Sequence, residues 1–286
     1  LICSVLGYFV MGWLAKHLNR PLANLTQAAQ QINHADNISY HEALPVPQRP
    51  DEVHELGLEI NDLLRSLNEP VLRDHQFVSD ASHELRTPLT AIRGHVSLIK
   101  RRGQQHPEVI PRSLNFIDHE SARMQTLVES LLRLSRMDHV DLTGDFYDAT
   151  QLIQSTITNY RDELSQPITL KLPKQAVSVY VNADSLQQIL IALLSNASKY
   201  SPTDAPITVS LTVVDGHPTV KVADGGLGIP DENKAHVFER FYRVDQARSQ
   251  KIPGNGLGLS IVTRLIDLNH ATIAVSDNQP RGTVFT

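Results

Sequence analysis

Apolar residues recur at steps of three and four over two long stretches of the chain, separated by a short loop. The first stretch contains Val78, Ala81, Leu85, Leu89, Ile92, Val96 and Ile99. The second contains Leu114, Ile117, Met124, Val128 and Leu131, and the loop between them carries Gly103, Pro107 and Pro111. This spacing predicts two amphipathic helices, and a short loop makes them run antiparallel. Each hairpin leaves one apolar stripe uncovered, so we expect two copies to pair as a four-helix bundle.

The first of these helices carries the run Ser82-His83-Glu84-Leu85-Arg86-Thr87-Pro88. His83 lies two residues from its apolar neighbours on either side, so its ring projects from the face opposite the stripe. At about 100° per residue, Thr87 falls one turn further along nearly the same line, and Glu84 sits beside them. An exposed imidazole next to a carboxylate is a candidate nucleophile. An isolated His-Glu pair on a helix surface is also common, so the pair needs support from the rest of the chain.

Composition restricts the classes of function. With 286 residues, of which 41% are hydrophobic, the chain can form two or three domains with cores of their own. A net charge of −5, with no basic run longer than Lys100-Arg101-Arg102, disfavours nucleic-acid binding. The single cysteine, Cys3, excludes an internal disulfide framework and a cysteine metal cluster, which suits a reducing cytoplasm.

The beginning of the chain reads as the end of a membrane helix. The stretch from Leu1 to Ala15 carries no charged residue, and Lys16, His17 and Arg20 follow it directly. Since a full bilayer span needs about 20 apolar residues, we interpret residues 1–18 as the C-terminal part of a transmembrane helix. The basic residues after it place the following segment on the cytoplasmic side. A buried soluble helix is the alternative.

Residues 19–70 show the pattern helix, connector, helix. After Pro21, the periodic positions are Leu22, Leu25, Ala29 and Ile32; a loop contains Pro45, Pro47 and Pro50; the rhythm resumes at Val53, Leu56, Ile60, Leu63 and Leu67. Two steps of four then lead to Val71, and Pro70 lies within them. Such a stutter locally unwinds a coiled coil, so we expect this junction to be the weakest point of an otherwise continuous helical rod and the place where a rotation or tilt of the upstream helices is passed on. After a membrane helix, this arrangement resembles a HAMP linker. An ordinary helical hairpin is the alternative.

From about Phe146 the pattern changes to mixed helix and strand. Strands are predicted at Ile168–Leu172, Val177–Val181, Ile207–Val214, Thr219–Val222, Thr272–Val275 and Thr283–Phe285. Helices are predicted at Thr150–Glu163, Asp184–Tyr200 and Gly256–Leu268. The alternation indicates helices layered on one sheet, with a hinge at Met137–Asp145 before it.

Four motifs lie in this mixed region. They are Asn196-Ala197-Ser198-Lys199-Tyr200, Asp224-Gly225-Gly226-Leu227-Gly228, Phe238-Glu239-Arg240-Phe241-Tyr242-Arg243 and Gly254-Asn255-Gly256-Leu257-Gly258-Leu259. The glycines of the last motif precede a predicted helix, so free backbone amides and the positive end of the helix dipole face an anion. Their spacing matches neither the Walker loop nor the dinucleotide fingerprint.

The side chains of these motifs suit a nucleotide. The amide oxygen of Asn196 can ligate Mg²⁺, and Asp224 at a strand end can accept a hydrogen bond from an adenine amino group. Gly226 and Gly228 permit positive φ angles and the close approach of a base. Taken alone, each has an ordinary explanation: a locally bonded asparagine, a turn aspartate and a tight turn.

The His83 run and the four later motifs, taken together, resemble the sensor histidine kinases of two-component systems over roughly residues 70–286. The run resembles the phosphoacceptor box, and the later motifs resemble the N, G1, F and G2 boxes of a Bergerat-type (GHKL) ATP-binding domain. The resemblance implies a multidomain α plus α/β chain. Its parts are the membrane helix end at 1–18, a HAMP linker at 19–70, a dimerisation and phosphotransfer hairpin at 71–138 and an ATP-binding α/β sandwich at 139–286.

The resemblance also implies a function and a site. The chain would autophosphorylate His83 from ATP with Mg²⁺ and pass the phosphoryl group to an aspartate of a response regulator. Glu84 is the expected base, and Thr87 resembles the position that orients water in the reverse, phosphatase reaction. The nucleotide residues would be Asn196, Lys199, Tyr200, Asp224, Gly226, Gly228, Arg243, Gly254, Gly256, Leu257 and Gly258, with Asn196 on the metal. We expect a lid at Val244–Pro253 and a homodimer in the inner membrane of a bacterium, with its kinase domains cytoplasmic.

Two positions depart from the family pattern. Ala192 stands where the family usually has asparagine, and Gly225 where it often has asparagine. A degenerate ATP-binding scaffold, or a phosphatase-biased sensor with weak autokinase activity, is therefore the alternative function. An ATPase that uses the same fold for conformational work is a third, although it gives no reason for the His83 run.

Overall fold

The structure is a computed structural model that describes residues 51–137, 143–244 and 254–286, together with Gly7, Gly12 and Val46. The predicted membrane helix end, the first HAMP helix, most of the predicted lid and the middle of the predicted hinge lie outside the described residues. None of the helices in the described ranges is long and apolar enough to span a bilayer. The chain divides into two compact units, Leu1–Asp80 and Ala81–Thr286.

Two long helices follow one another. Helix α1 spans Asp51–Arg102 and helix α2 spans Val109–Met137. Helix α1 continues through Pro70 and through Pro88, so the stutter before Val71 does not interrupt the backbone of the predicted rod. A stutter changes the phase of the apolar positions without stopping the helix, and a proline removes only one backbone hydrogen bond.

Gly103 directly follows helix α1 and begins the loop of the hairpin. The Gly103 amide donates to the carbonyl of Ile99 at 2.8 Å, and a Cβ at Gly103 would come within 2.5 Å of that same oxygen. Next to the loop, His95 of α1 contacts two residues of α2. Its Nδ1 lies 3.2 Å from the Ser113 hydroxyl, and its ring stacks on Phe116 with 4.1 Å between ring centroids. These contacts hold the two helices together next to the loop.

Several large apolar side chains of the hairpin are exposed in the single chain. They are Leu89, Val96, Leu114, Phe116, Val128 and Leu132. Their exposure agrees with the uncovered stripe that the sequence predicts. At its C-terminal end, by contrast, α2 is covered: Leu134 is buried and Met137 packs against the core of the following region.

The α/β region contains two sheets. Its elements are β1 Asp145–Asp148, α3 Ala149–Tyr160, β2 Ile168–Lys171, β3 Ser178–Val181, α4 Ala183–Tyr200, β4 Ile207–Val214, β5 His217–Ala223, α5 Asp231–Lys234, α6 Gly258–Leu268, β6 Val275–Asp277 and β7 Thr283–Phe285. The larger sheet has the order β2-β4-β5-β7-β6, with β2 parallel to β4 and the other neighbours antiparallel. The smaller sheet pairs β1 with β3 antiparallel.

Several elements differ from the sequence prediction, among them helix α5, which no pattern predicted, and strand β5, which begins at His217 rather than at Thr219. Strand β1 begins at the end of the predicted hinge and pairs Phe146 with Tyr180, so there is a second sheet where one was expected. A strand of four residues is too short for an alternation of apolar and polar side chains to be recognised in the sequence. Strand β6 begins at Val275 rather than at Thr272, because its extent is set by the pairing of Val275 with Phe285 in β7.

Helices α3, α4 and α6 supply the apolar core, which packs against the five-stranded sheet. Strand β4 alternates buried and less buried residues over its first half, as a half-buried strand does. Side chains at the centre of this core include Ile153, Leu190, Leu194, Ile207, Val209 and Val262. The starts of two helices are set by side-chain caps, since Asp148 accepts from the Thr150 amide and Asn182 from the Ser185 amide.

Candidate active site

A cavity of about 360 Å³ opens where the end of α4, the loop after β5 and the start of α6 meet. Most of the predicted nucleotide residues line it: Asn196, Lys199, Tyr200, Asp224, Gly228, Arg243, Gly254, Gly256 and Gly258. Two predicted residues, Gly226 and Leu257, are buried next to these and are not among the lining residues. The fold thus gathers residues of separate motifs around one space.

Asp224 lies directly after strand β5 and is only 5% exposed. Its Oδ1 accepts the backbone amides of Gly226 at 2.8 Å and Thr283 at 3.2 Å, and its own carbonyl accepts from the Asn278 amide group at 2.7 Å. Burial raises the pKa of Asp224, and the two backbone amides and the Ser201 hydroxyl oppose this shift. The carboxylate is therefore fixed in place at the wall of the cavity, with lone pairs left for a ligand.

Glycines around Asp224 make this wall possible for two different reasons. Gly228 has a φ of 75°, as the sequence predicts. Gly226 does not have a positive φ, so that part of the prediction is wrong; a Cβ there would instead lie 2.5 Å from the Tyr200 carbonyl oxygen and 2.8 Å from Asp224 Oδ1. Gly282, which the sequence reading missed, has a φ of 119°, and a Cβ there would overlap the Asp224 carbonyl.

The opposite end of the cavity lies at the start of α6. Gly256 has a φ of 68°, and a Cβ there would come within 2.6 Å of the Phe241 backbone. Arg243 donates to the carbonyl of Gly254. Desolvation, and to a lesser extent the charge of Arg243, lower the pKa of Lys199. Two cations beside a helix N-terminus form a site that an anionic ligand would stabilise.

The chemistry of the lining fits a ligand with a base at one end and phosphates at the other. At the Asp224 end, the Ser201 hydroxyl is buried beside the Asp224 carboxylate and acts to lower its pKa. Apolar side chains complete the walls, among them Leu227, Ile229, Val237 and Phe285. The Asn196 side chain supplies an amide at the cavity, whereas the described residues contain no group of three or more His, Cys, Asp or Glu able to hold a metal. A hard cation here would rely on ligand and water oxygens as well as Asn196.

Several lining residues were missed by sequence reasoning: Tyr242, Arg281 and Thr283. Tyr242 belongs to the third motif, and its hydroxyl accepts a hydrogen bond from Asn233. Arg281 and Thr283 flank Gly282, which directly precedes the final strand. A glycine at a strand start often marks a close approach of backbone, so Gly282 is the sequence feature that could have indicated both residues.

The His83 ring is exposed on α1, and the Thr87 hydroxyl donates to the His83 carbonyl at 3.4 Å, one turn away. Glu84 is half-buried beside it. In the described structure no hydrogen bond joins the His83 ring to the Glu84 carboxylate. The imidazole is thus accessible to a reacting group, and its orientation by Glu84 is not set in this state.

Three family descriptions match the chain. They are "Histidine kinase-, DNA gyrase B-, and HSP90-like ATPase" at residues 181–286, "His Kinase A (phospho-acceptor) domain" at 73–140 and "HAMP domain" at 13–69. The second match contains His83, and the first contains the whole lining of the cavity.

Known proteins agree with these matches. Sensor histidine kinase YkoH of Bacillus subtilis is 35% identical over 286 residues, which cover 99% of this chain but only 62% of YkoH. The solved structure of Acinetobacter baumannii histidine kinase AdeS is 27% identical, with a TM-score of 0.52, over 71% of this chain and 94% of AdeS. Histidine kinase ThkA, solved in complex with the response regulator TrrA, is similar in fold at 22% identity and a TM-score of 0.61, over 77% of this chain and 63% of that one.

Proposed function

Because the chain belongs to the sensor histidine kinases of two-component systems, we propose that it transfers the γ-phosphoryl group of ATP to His83 and then to an aspartate of a response regulator. One observation carries this proposal. The same chain presents an exposed helix histidine beside a carboxylate and, separately, a cavity with a carboxylate at one end and cations at the other.

The cavity residues divide into two groups by the part of ATP that they would bind. Asp224, with the Ser201 hydroxyl beside it, would bind the amino group of adenine. Lys199, Arg243 and the amides at the start of α6 would bind the phosphates. Asn196 would contribute an oxygen to Mg²⁺, which when bound supplies positive charge beside the phosphates.

The transfer to His83 follows from ordinary imidazole chemistry. One ring nitrogen must be unprotonated to attack the γ-phosphorus; the P–N bond forms as the bond to the bridging oxygen breaks, and that oxygen leaves with its electron pair on ADP. Glu84 would accept a hydrogen bond from the N–H at the other ring nitrogen and stabilise the charge that develops on the ring. Most of the rate gain would come from positioning and charge stabilisation.

The second transfer reverses the change at the ring. A carboxylate oxygen of the response regulator attacks the phosphorus, the P–N bond breaks and the ring recovers its lone pair. Thr87, one turn from His83, would orient water in a phosphatase reaction on the phosphorylated regulator. The complex of ThkA with TrrA supports a response regulator as the partner.

The assembly belongs to the same proposal. The exposed apolar residues of the hairpin support a homodimer formed through a four-helix bundle. The HAMP match and the uncharged stretch from Leu1 to Ala15 support attachment to the inner membrane of a bacterium. Domain limits at 18, 70 and 138 remain part of this proposal.

The departures from the family pattern give little support to a degenerate scaffold. Ala192 packs against the apolar core, and neither it nor Gly225 is among the residues that line the cavity. The family residues that remain at the cavity, Asn196, Asp224 and the glycines before α6, support the kinase over the scaffold.

Incubation with γ-labelled ATP and Mg²⁺ separates the alternatives. A kinase gives a phosphoprotein whose label is lost in acid and retained in alkali. A scaffold binds nucleotide but acquires no label, and an ATPase releases phosphate without a phosphoprotein. Either of the last two results would contradict the proposed function.

A further inference from the structure

Gln166 is a buried residue outside the lining of the nucleotide cavity, and its side chain is hydrogen-bonded to the end of helix α4. The side chain is only 6% exposed and is not among the residues that line the cavity. Its Nε2 donates to the carbonyls of Ser198 at 2.9 Å and Ser201 at 3.1 Å, and its Oε1 accepts from the Ser198 hydroxyl at 2.7 Å. One amide group thus bonds to both the last turn of α4 and the residue that follows it.

The end of α4 needs such partners. The last four carbonyls of a helix have no acceptor role within the helix, and many helices satisfy them by a glycine cap. Here the residue after the helix, Ser201, is extended, with a φ of −109° and a ψ of 148°. The carbonyls of Ser198 and Ser201 bond to Gln166, and the carbonyl of Tyr200 accepts from the Leu227 amide at 3.3 Å.

The position of this helix end sets the wall of the cavity around Asp224. A Cβ at Gly226 would lie 2.5 Å from the Tyr200 carbonyl and 2.9 Å from the Ser201 hydroxyl, so the two segments are in close contact. Gly226 in turn donates its amide to Asp224. A shift of the α4 end by a few tenths of an ångström would therefore move the loop that holds the carboxylate.

We propose that Gln166 is a positioning residue for the base end of the nucleotide site, acting through the last turn of α4 on Asp224 and Ser201. This inference rests on the proposed nucleotide binding. The amide does not touch the ligand; it holds the groups that distinguish an adenine amino group from other substituents at the same place.

The test compares ADP with inosine diphosphate, which lacks the amino group of adenine, by titration calorimetry. Gln166→Met keeps the length of the side chain and removes its hydrogen bonds. Ser198→Ala removes one donor only, and Ser165→Ala changes the exposed neighbour of Gln166 as the matched control. Each protein is measured at a temperature at which its melting curve shows it folded.

We expect Gln166→Met to weaken ADP binding about tenfold, the size of one weakened charge-assisted hydrogen bond between Asp224 and the adenine amino group, and inosine diphosphate binding by less. Ser198→Ala should shift the ratio of the two affinities in the same direction by a smaller factor, and Ser165→Ala should leave it unchanged. General destabilisation would reduce both affinities by the same folded fraction and leave the ratio constant.

An unchanged ratio in a folded Gln166→Met protein would overturn the inference while leaving nucleotide binding intact. If that variant does not fold, an unchanged ratio in Ser198→Ala does the same. Failure of the unaltered protein to bind ADP would instead overturn the proposed function itself.

Discussion

At the scale of single residues, Asp224 combines a cost in stability with a role in binding. The carboxylate is buried, and its desolvation outweighs the opposing effect of the two backbone amides and the Ser201 hydroxyl, so the pKa is raised. A group whose pKa is higher in the folded than in the unfolded protein favours folding in its protonated form. At neutral pH, where Asp224 is ionised in the unfolded chain, it therefore destabilises the fold that it serves.

Asp224→Asn should accordingly raise the melting temperature of the nucleotide-free protein at pH 7. The difference from the unaltered protein should shrink as the pH falls toward the raised pKa, because the carboxylate then becomes neutral as well. The same change should weaken ADP binding by roughly 10- to 100-fold, through loss of a charge-assisted hydrogen bond. Thermal melts across pH 4–8 and calorimetry measure the two effects.

Asp204→Asn is the matched control for this pair of measurements, since Asp204 is exposed in the same region. It should change neither quantity. An Asp224→Asn protein that melts below the unaltered one at pH 7 would show that the hydrogen bonds of the carboxylate outweigh its burial.

At the scale of secondary structure elements, two glycines near the C-terminal end of helix α1, Gly94 within it and Gly103 just after it, have different surroundings. A Cβ at Gly94 would meet nothing within 4 Å, whereas one at Gly103 would meet the Ile99 carbonyl at 2.5 Å and the Ile110 side chain at 3.3 Å. Gly94 is inside the helix and Gly103 directly follows it. The same substitution should therefore have opposite effects at the two positions.

Gly94→Ala should stabilise the protein by about 0.5–1 kcal/mol, the gain in helix propensity, and Gly103→Ala should destabilise it. Urea unfolding followed by circular dichroism measures both changes. Each variant serves as the control for the other, and a loss of stability in both would mean that the exposed face at Gly94 is covered in the assembled protein.

The helices and strands differ in how well the sequence predicts them. The long helices and the helices α4 and α6 follow from apolar periodicity, because each buries one face along many turns. Strand β1 and helix α5 have only four residues each and take their form from neighbours, so no local pattern marks them. Thr283 contacts Asp224, and Gln166 contacts the end of α4, through hydrogen bonds that bridge 59 and 32–35 residues of sequence. Local chemistry predicts the motifs, whereas only the fold shows what holds them.

At the scale of the whole molecule, the hairpin surface bears on the oligomeric state. Leu114 is 54% exposed and Val128 is 41% exposed, and the two lie about four turns apart on one face of α2. Leaving such a stripe in water costs about 25 cal/mol for each Å² of apolar surface that a partner would cover. A second copy of the chain offers the same stripe.

The double variant Leu114→Glu with Val128→Glu should convert the dimer to a monomer, because it places charges in the proposed bundle interface. Light scattering after size-exclusion chromatography measures the mass. Thr126→Glu, an exposed position on the opposite side of α2 from Val128, is the control and should remain dimeric. A double variant that stays dimeric would place the interface elsewhere on the chain.

The central claim is that His83 carries the phosphoryl group. The most direct measurement compares His83→Gln with His75→Gln, which changes another exposed histidine of α1, after incubation with γ-labelled ATP and Mg²⁺. Binding of ADP to both variants, measured beside it, shows that the nucleotide site is intact. The account predicts that acid-labile label persists in His75→Gln and is absent from His83→Gln. Label that remains in a His83→Gln protein would contradict it.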